Sequence, residues 1–304
     1  MNLYTLYMID LDSVTIDQIV AQAVAPEVSE VMASGDGQVF PSFVTAGRIA
    51  PSVSFSTTGL TAALTKLTTD GFAIAAGSIA NLFWRKRTEG GKLSAGADNI
   101  KMVVNKGICV PRNLSADQNI ATLSADIIAT WDGTNNPIVV TVASLAGTPV
   151  TDEQFVAGPA VINNVQLEGI TSIEVDFGLS LTIPAHDGRV YPTYVAVAAG
   201  GPIITVRTLD ALALSTFGID GTAQGATVSE VYFRGKIQGG AVYANNVSKH
   251  IKITNTLSLG MITVKDVSAD QSDDAQTEVK ITPASAGILN PLSITLPTVI
   301  PGTL

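Results

Sequence analysis

Asp36-Gly37-Gln38-Val39-Phe40-Pro41-Ser42-Phe43-Val44 returns 151 residues later as Asp187-Gly188-Arg189-Val190-Tyr191-Pro192-Thr193-Tyr194-Val195, and each copy reaches a second proline at the same interval, Pro51 and Pro202. The mismatches keep their physical type: Ser42 for Thr193, Gln38 for Arg189, Phe40 for Tyr191, Phe43 for Tyr194. With small drifts the match runs on. Phe83-Trp84-Arg85 before Gly90-Gly91 answers Tyr232-Phe233-Arg234 before Gly239-Gly240, and Ile100-Lys101-Met102 answers Ile251-Lys252-Ile253. Ser115-Ala116-Asp117-Gln118 recurs letter for letter at Ser268-Ala269-Asp270-Gln271, and Asn136-Pro137 meets Asn290-Pro291. Upstream, Asp10-Leu11-Asp12-Ser13-Val14-Thr15 aligns with Gln166-Leu167-Glu168-Gly169-Ile170-Thr171. Solenoid and propeller repeats run at roughly 20–50 residues, so this period predicts an internal duplication: two tandem domains, 1–154 and 155–304.

The residue pattern predicts an all-β chain with one short helix per module. Ile173, Val175, Phe177, Leu179, Leu181 and Ile183 alternate with mainly polar or small residues, the period of a sheet with one buried face. Further β-rich runs, among them 39–44, 53–56, 100–104, 138–142, 190–197, 203–207, 228–237, 251–254 and 292–296, are punctuated by Gly, Pro and Asn, which suits sandwiches or partly open barrels. Leu60, Ala63, Leu64 and Leu67 carry a helical spacing after Thr57-Thr58 as caps, and a weaker counterpart near 209–214 is opened by Asp210. Residues 13–24 suit strand or helix, and strand is preferred because of the repeat.

Hydrophobic residues make up 46% of the chain and charged ones 14%, against about 25% charged in ordinary domains. Too few charges remain to cover two small domains, so part of the apolar surface is expected to meet other subunits. No run approaches the roughly 18 apolar residues of a spanning helix, and the first residues lack a signal-peptide pattern; a soluble protein made in the cytoplasm is expected. Residues 1–152 carry nine basic and thirteen acidic side chains and residues 153–304 eight and thirteen, net −4 and −5 of the total −9. Neither half is a basic nucleic-acid binder.

Motifs for chemistry are nearly absent. His186 and His250 have no second ligand at metal-binding spacing, so neither a metal nor a cofactor is expected, nor any catalytic residue. Cys109, between Ile and Val, reads as a small buried hydrophobe. Asp270, Asp273, Asp274 and Glu278 lack the spacing and glycine of a calcium loop and read as a solvated turn. Arg85-Lys86-Arg87 reads as a strand end or an inter-subunit ion-pair site, and the aromatic pairs Phe40/Phe43 and Tyr191/Tyr194 as packing rather than a ligand platform.

Two β-rich modules, each with an Asp-Gly-x-Val-aromatic-Pro start, a proline-led strand at Pro51 or Pro202 and a following Thr-x-x-x-x-Ala segment, resemble the tail tube proteins of long, flexible-tailed bacteriophages, in their duplicated form. The resemblance covers both halves and rests on pattern, duplication and composition together. It implies a virion protein without enzymatic activity, built from tail-tube-like β-sandwich modules. Three chains would form a pseudo-hexameric ring, and stacked rings would form a conduit for DNA ejection that does not bind DNA specifically. It also implies contacts with tape-measure, tail-terminator and tail-tip proteins. Asp36, Gly37, Pro41, Phe43 and Pro51, with Asp187, Gly188, Pro192, Tyr194 and Pro202, are the repeat-equivalent positions expected to matter for structure or assembly. A trimeric hub or distal ring protein of the tail tip, and a carbohydrate-binding adhesive sandwich, are the alternatives.

Overall fold

A computed structural model describes residues 3–77, 79–91, 93–94, 96–145, 153–184, 188–210, 212–223, 229–255, 259–269, 274–285, 287 and 290–302. It is all-β with two short helices. The first half runs β1 (Leu3–Leu11), β2 (Val14–Ile16), β3 (Ile19–Ala25), β4 (Val28–Ala33), β5 (Phe43–Ile49), β6 (Ser52–Thr57), α1 (Leu60–Lys66), β7 (Phe72–Ile74), β8 (Ala80–Arg87), β9 (Asn99–Val104), β10 (Gly107–Ala116), β11 (Ala121–Ala129) and β12 (Ile138–Ala143). The second runs β13 (Phe155–Ile162), β14 (Val165–Leu167), β15 (Ile170–Asp176), β16 (Leu179–Thr182), β17 (Ala196–Gly200), β18 (Ile203–Thr208), α2 (Leu212–Phe217), β19 (Thr222–Ala223), β20 (Ser229–Gly235), β21 (His250–Asn255), β22 (Gly260–Ser268), β23 (Gln276–Pro283) and β24 (Leu292–Thr298).

The strand pairings follow the same plan in each half. A five-stranded sheet β12-β9-β8-β1-β2 has its counterpart in β24-β21-β20-β13-β14, and the ribbon β4-β5 in β16-β17. The remaining strands join across the halves into one ten-stranded sheet, β19-β22-β23-β18-β15-β10-β11-β6-β3, with β7 added to β10. Irregularities recur too. The β10/β11 ladder slips between Pro111 and Asn113, and β22/β23 between Val264 and Asp266; β3/β6 slips between Ile19 and Ala21, and β15/β18 between Ile170 and Ser172.

The first hairpin shows why the loops match. Asp12-Ser13 (φ 48° and 67°) and Asn163-Asn164 (φ 49° and 66°) turn between Leu11/Val14 and Ile162/Val165. Two successive left-handed residues give the turn whose twist suits a two-residue hairpin, and Asn and Asp tolerate it best. This geometry corrects the upstream sequence alignment. Thr15 stands where Gln166 does, at the same 151-residue interval as the aspartate-glycine block, so Asp10–Thr15 does not correspond to Gln166–Thr171. Gly107 and Gly260 open β10 and β22, where an added Cβ would fall 2.0 Å from the Ile128 carbonyl oxygen and 2.1 Å from that of Thr282.

Several local expectations change. The alternation from Ile173 to Ile183 is two strands in two sheets, broken at Phe177-Gly178, where Gly178 has φ 59°. Residues 39–42 and 190–195 lie outside the strands β5 and β17, in loops. Residues 14–16 and 19–25 are strands. Neither Thr57 nor Thr58 caps α1; its flanking residue is Gly59, and the Thr61 N–H donates to Glu153 Oε1 at 2.7 Å.

Apolar faces of both halves merge into one buried cluster containing Leu11, Phe55, Leu64, Leu82, Leu114, Ile127, Val175, Val206, Phe233, Ile253 and Ile281. Asn99 and His250 hold corresponding places in it. Asn99 Oδ1 accepts the Lys86 N–H at 2.9 Å while its Nδ2 donates to the Gly96 carbonyl; His250 Nδ1 accepts the Gly235 N–H at 3.2 Å while its Nε2 faces the Ala244 carbonyl at 3.1 Å. In each half a buried side chain therefore satisfies the equivalent strand N–H and a nearby loop carbonyl, which burial would otherwise leave unpaired.

Candidate self-association surfaces

The two halves meet at a junction built from three contact sets. First, β10 pairs antiparallel with β15, setting Asn113 opposite Asp176, Leu114 opposite Val175, Ser115 opposite Glu174 and Ala116 opposite Ile173. Leu114 is fully buried there. Asn113 Nδ2 donates to Glu174 Oε1 at 2.6 Å, and the Gln118 amide donates to the Ile170 carbonyl.

Second, the α1 end of the first half lies against β24. Thr69 Oγ1 donates to the Leu292 carbonyl at 3.2 Å, and Asn290 Nδ2 reaches both the Thr69 carbonyl (3.1 Å) and Asp70 Oδ1 (2.9 Å). Ile294 and Leu296 of β24 are half-buried against the core.

Third, the loop at 188–194 lies on the first half. The Ile49 N–H donates to the Val190 carbonyl at 2.9 Å, the Trp131 N–H to that of Pro192 at 2.8 Å, and Lys106 Nζ to that of Thr193 at 3.0 Å. The Arg189 guanidinium sits 5.0 Å from the Trp131 ring centre, within cation–π range.

Each half of this junction has a counterpart at the opposite end of the chain. Among the described residues the long sheet ends on β3, and β22 is flanked on its outer side by the two-residue β19 near Met261-Ile262 alone. Val267, at the position of Leu114, is 46% exposed. Ile219, at the position of Thr69, is 79% exposed; Val140 and Val142, at the positions of Ile294 and Leu296, are 62% and 69% exposed. Asn136 and Asp220 stand where Asn290 and Asp70 do. The loop at 34–44 is exposed throughout, Val39 and Phe40 most of all at 89% and 80%.

The residues expected from the repeat fall on this pattern. Asp36, Gly37 and Pro41 lie on the exposed loop and Phe43, also exposed, starts β5; Gly188, Pro192 and Tyr194 lie on the docked counterpart, where Pro192 is buried. Asp187 and His186 lie outside the described residues. Pro51 and Pro202 are buried at the starts of β6 and β18, and the Pro51 carbonyl accepts the Ala129 N–H at 3.0 Å. Pro41 and Pro192 thus keep the same place in the element order but not the same surroundings: the later loop lies on the first half, while the earlier one is exposed. Sequence reasoning missed Trp131, Lys106 and the Asp70–Asn290 pair; the repeated Asn-Pro was the one signal for the last.

Among the described residues no cluster gathers reactive groups. Burial pushes the Cys109 thiol well above its usual range. Burial alone would raise Glu278, but hydrogen bonds from Lys265 and Arg207 outweigh it and hold the carboxyl below its ordinary value. Lys86, of the basic triplet, pairs with Asp98 at 2.6 Å, and Arg85 Nε donates to the Ser94 carbonyl. Among the described residues no group of three or more His, Cys, Asp or Glu could hold a metal; Asp270 and Asp273 lie outside them. No helix among the described residues is long and apolar enough to cross a membrane. No protein-family model matches the chain, and no curated protein matches its sequence.

Proposed function

We propose that this chain is a structural protein that joins head to tail with copies of itself, three chains closing into a ring and rings stacking into a tube. The carrying observation is the β10–β15 junction together with the unfilled counterparts of both its sides, β22 at one end of the long sheet and β3 at the other. A head-to-tail contact between unlike surfaces repeats until it closes a ring or runs on as a filament. Adding β3 of one chain to β22 of the next in the β10–β15 register would set Val267 opposite Val24 and Ser268 opposite Ala23, and would remove both open edges, which otherwise invite uncontrolled pairing. Ring size follows from the tail-tube resemblance: six halves, hence three chains, each half descended from a duplicated module.

The tube reading assigns the polar face of the long sheet to the channel. Opposite the buried Val206, Val279 and Ile127, that face carries Arg207, Glu278, Lys280, Asp126 and Ser124. Its cations are largely spoken for: Arg207 and Lys265 pair with Glu278 at 2.9 and 2.6 Å, and Arg112 with Asp126 at 2.7 Å. Cations paired in this way are poorly placed to neutralise phosphates, so DNA could pass without being held. This supports a conduit over a nucleic-acid binder, in the tail of a phage virion assembled in the host cytoplasm with tape-measure, terminator and tip proteins as neighbours.

Native mass measurement with ring averaging of negatively stained particles tests the reading. Rings of three chains with approximate six-fold symmetry, stacked into tubes, are the expected result. A stable monomer at high micromolar concentration, or six full chains per ring, would overturn it.

A further inference from the structure

A cavity of about 400 Å³ lies beside the β16–β17 ribbon, lined among others by Gly200, Pro202, Ser285, Gly287 and Asn290 of the second half and by Asp70 of the first. Gly200 and Ser285 occupy the positions that Ile49 and Trp131 hold in the first half, and Ile49 and Trp131 are the residues on which the loop at 188–194 rests. Within the chain, then, the backbone N–H groups of Ile49 and Trp131 hold Val190 and Pro192, and the Trp131 ring lies against Arg189. In the second half the same two positions are a glycine and a serine, and both line the cavity.

We infer that this cavity receives the Val39-Phe40-Pro41 arm of the next copy of the chain, with the Phe40 ring filling the space that Trp131 occupies at the internal junction. The inference rests on the head-to-tail reading and extends it to a named arm and a named seat. Three observations converge on it. The arm is the repeat counterpart of the segment already seated within the chain. Its two largest side chains, Val39 and Phe40, are the most exposed large hydrophobics among the described residues. The two seat positions lose bulk, Trp131 to Ser285 and Ile49 to Gly200, and both small residues line the cavity. The Val39 carbonyl would then face the Gly200 N–H as the Val190 carbonyl faces that of Ile49. A buried aromatic anchor in a preformed pocket is the kind of contact that dominates an interface.

Paired cysteines test the arm and the edge separately. Pro41→Cys with Ser285→Cys reports the arm in its seat, since the corresponding Pro192 and Trp131 are joined by a 2.8 Å hydrogen bond. Ala23→Cys with Ser268→Cys reports the β3–β22 edge. The only native cysteine, Cys109, is buried and will not interfere. Mild oxidation of assembled protein, read on a non-reducing gel, is expected to give dimers and closed trimers with both pairs. Ladders from the edge pair alone would overturn the arm and leave the head-to-tail reading standing. A disulfide confined within single chains for the arm pair would overturn it as well. Absence of ladders from both pairs, in protein that remains monomeric, would overturn both. As an independent readout, Phe40→Ala should raise the concentration for half-assembly by about tenfold or more while leaving the circular dichroism of the monomer unchanged; an unchanged assembly concentration would refute the anchor.

Discussion

Asn290 donates from Nδ2 to Oδ1 of Asp70 at 2.9 Å, joining positions 220 residues apart and tying the end of α1 in the first half to the start of β24 in the second. Asn290 also reaches the Thr69 carbonyl and accepts the Leu292 N–H at 2.9 Å. The residues at the corresponding positions, Asn136 and Asp220, belong to different halves, and the proposed head-to-tail reading pairs them between neighbours.

Asn290→Ala and Asn136→Ala should therefore fail differently. Losing three partly exposed hydrogen bonds at Asn290 should cost about 1–3 kcal/mol of stability, seen as a lower thermal midpoint of the monomer. Asn136→Ala should leave that midpoint within about 0.5 kcal/mol and instead weaken association several-fold in sedimentation equilibrium. Equal loss of monomer stability in both variants would contradict the assignment.

Val267→Lys addresses the strand edge. Val267 is partly exposed in the single chain, whereas Leu114 in the corresponding place is fully buried. A lysine there costs the monomer little but must be desolvated opposite Val24 in a ring, a penalty of several kcal/mol. Size-exclusion chromatography with light scattering should show folded monomer and no rings.

His250 supplies a pH prediction. Burial holds its pKa below the ordinary value, with the Arg234 charge acting in the same direction and the bond to the Ala244 carbonyl opposing. The unfolded chain, with a histidine near 6.5, then binds the proton more readily than the folded one. The stabilisation is complete above about pH 6.5 and is lost as pH falls from there through the folded value. His250→Asn reproduces the arrangement of Asn99, so it should fold normally and lose less stability than the parent between pH 7.5 and 5 in urea titrations. Identical pH slopes for the two proteins would count against it.

Gly260→Ala and Gly188→Ala separate close packing from backbone conformation. At Gly260 (φ 121°) a Cβ would collide with the Thr282 carbonyl oxygen, whereas at Gly188 (φ 62°) nothing lies within 4 Å. The first should cost about 3 kcal/mol or more and the second about 1–2 kcal/mol, from the left-handed conformation alone. Denaturant midpoints of the two variants decide it.

Much of this was legible in the residues themselves. Apolar periodicity and turn residues are local signals, so the all-β class and the helix at Leu60–Lys66 could be read from them; residues 13–24 suit strand or helix locally, and only the repeat favours the strands found at 14–16 and 19–25. The 151-residue echo brought Pro41 and Pro192, and Asn136 and Asn290, into correspondence before any coordinates. What local pattern could not supply was the true extent of a strand: Ile173–Ile183 reads as one alternating run, yet Gly178 takes a left-handed φ and sends the chain into a second sheet. Letter matching also placed Asp10–Thr15 five residues out of step, because a two-residue turn can be written as Asp-Ser or as Asn-Asn.

Only the tertiary structure decided which copy of each surface is filled. Phe40 and Tyr191 belong to the same pattern, but the loop of Tyr191 finds Trp131 and Ile49 of its own chain, while that of Phe40 is exposed. The sequence by itself determined two matching sets of strand, turn and loop segments, since apolar periodicity and turn chemistry act over a few residues. Whether a given set is satisfied depends on what lies across the junction, more than a hundred residues away in the chain, and that is set by the order in which the sheets join.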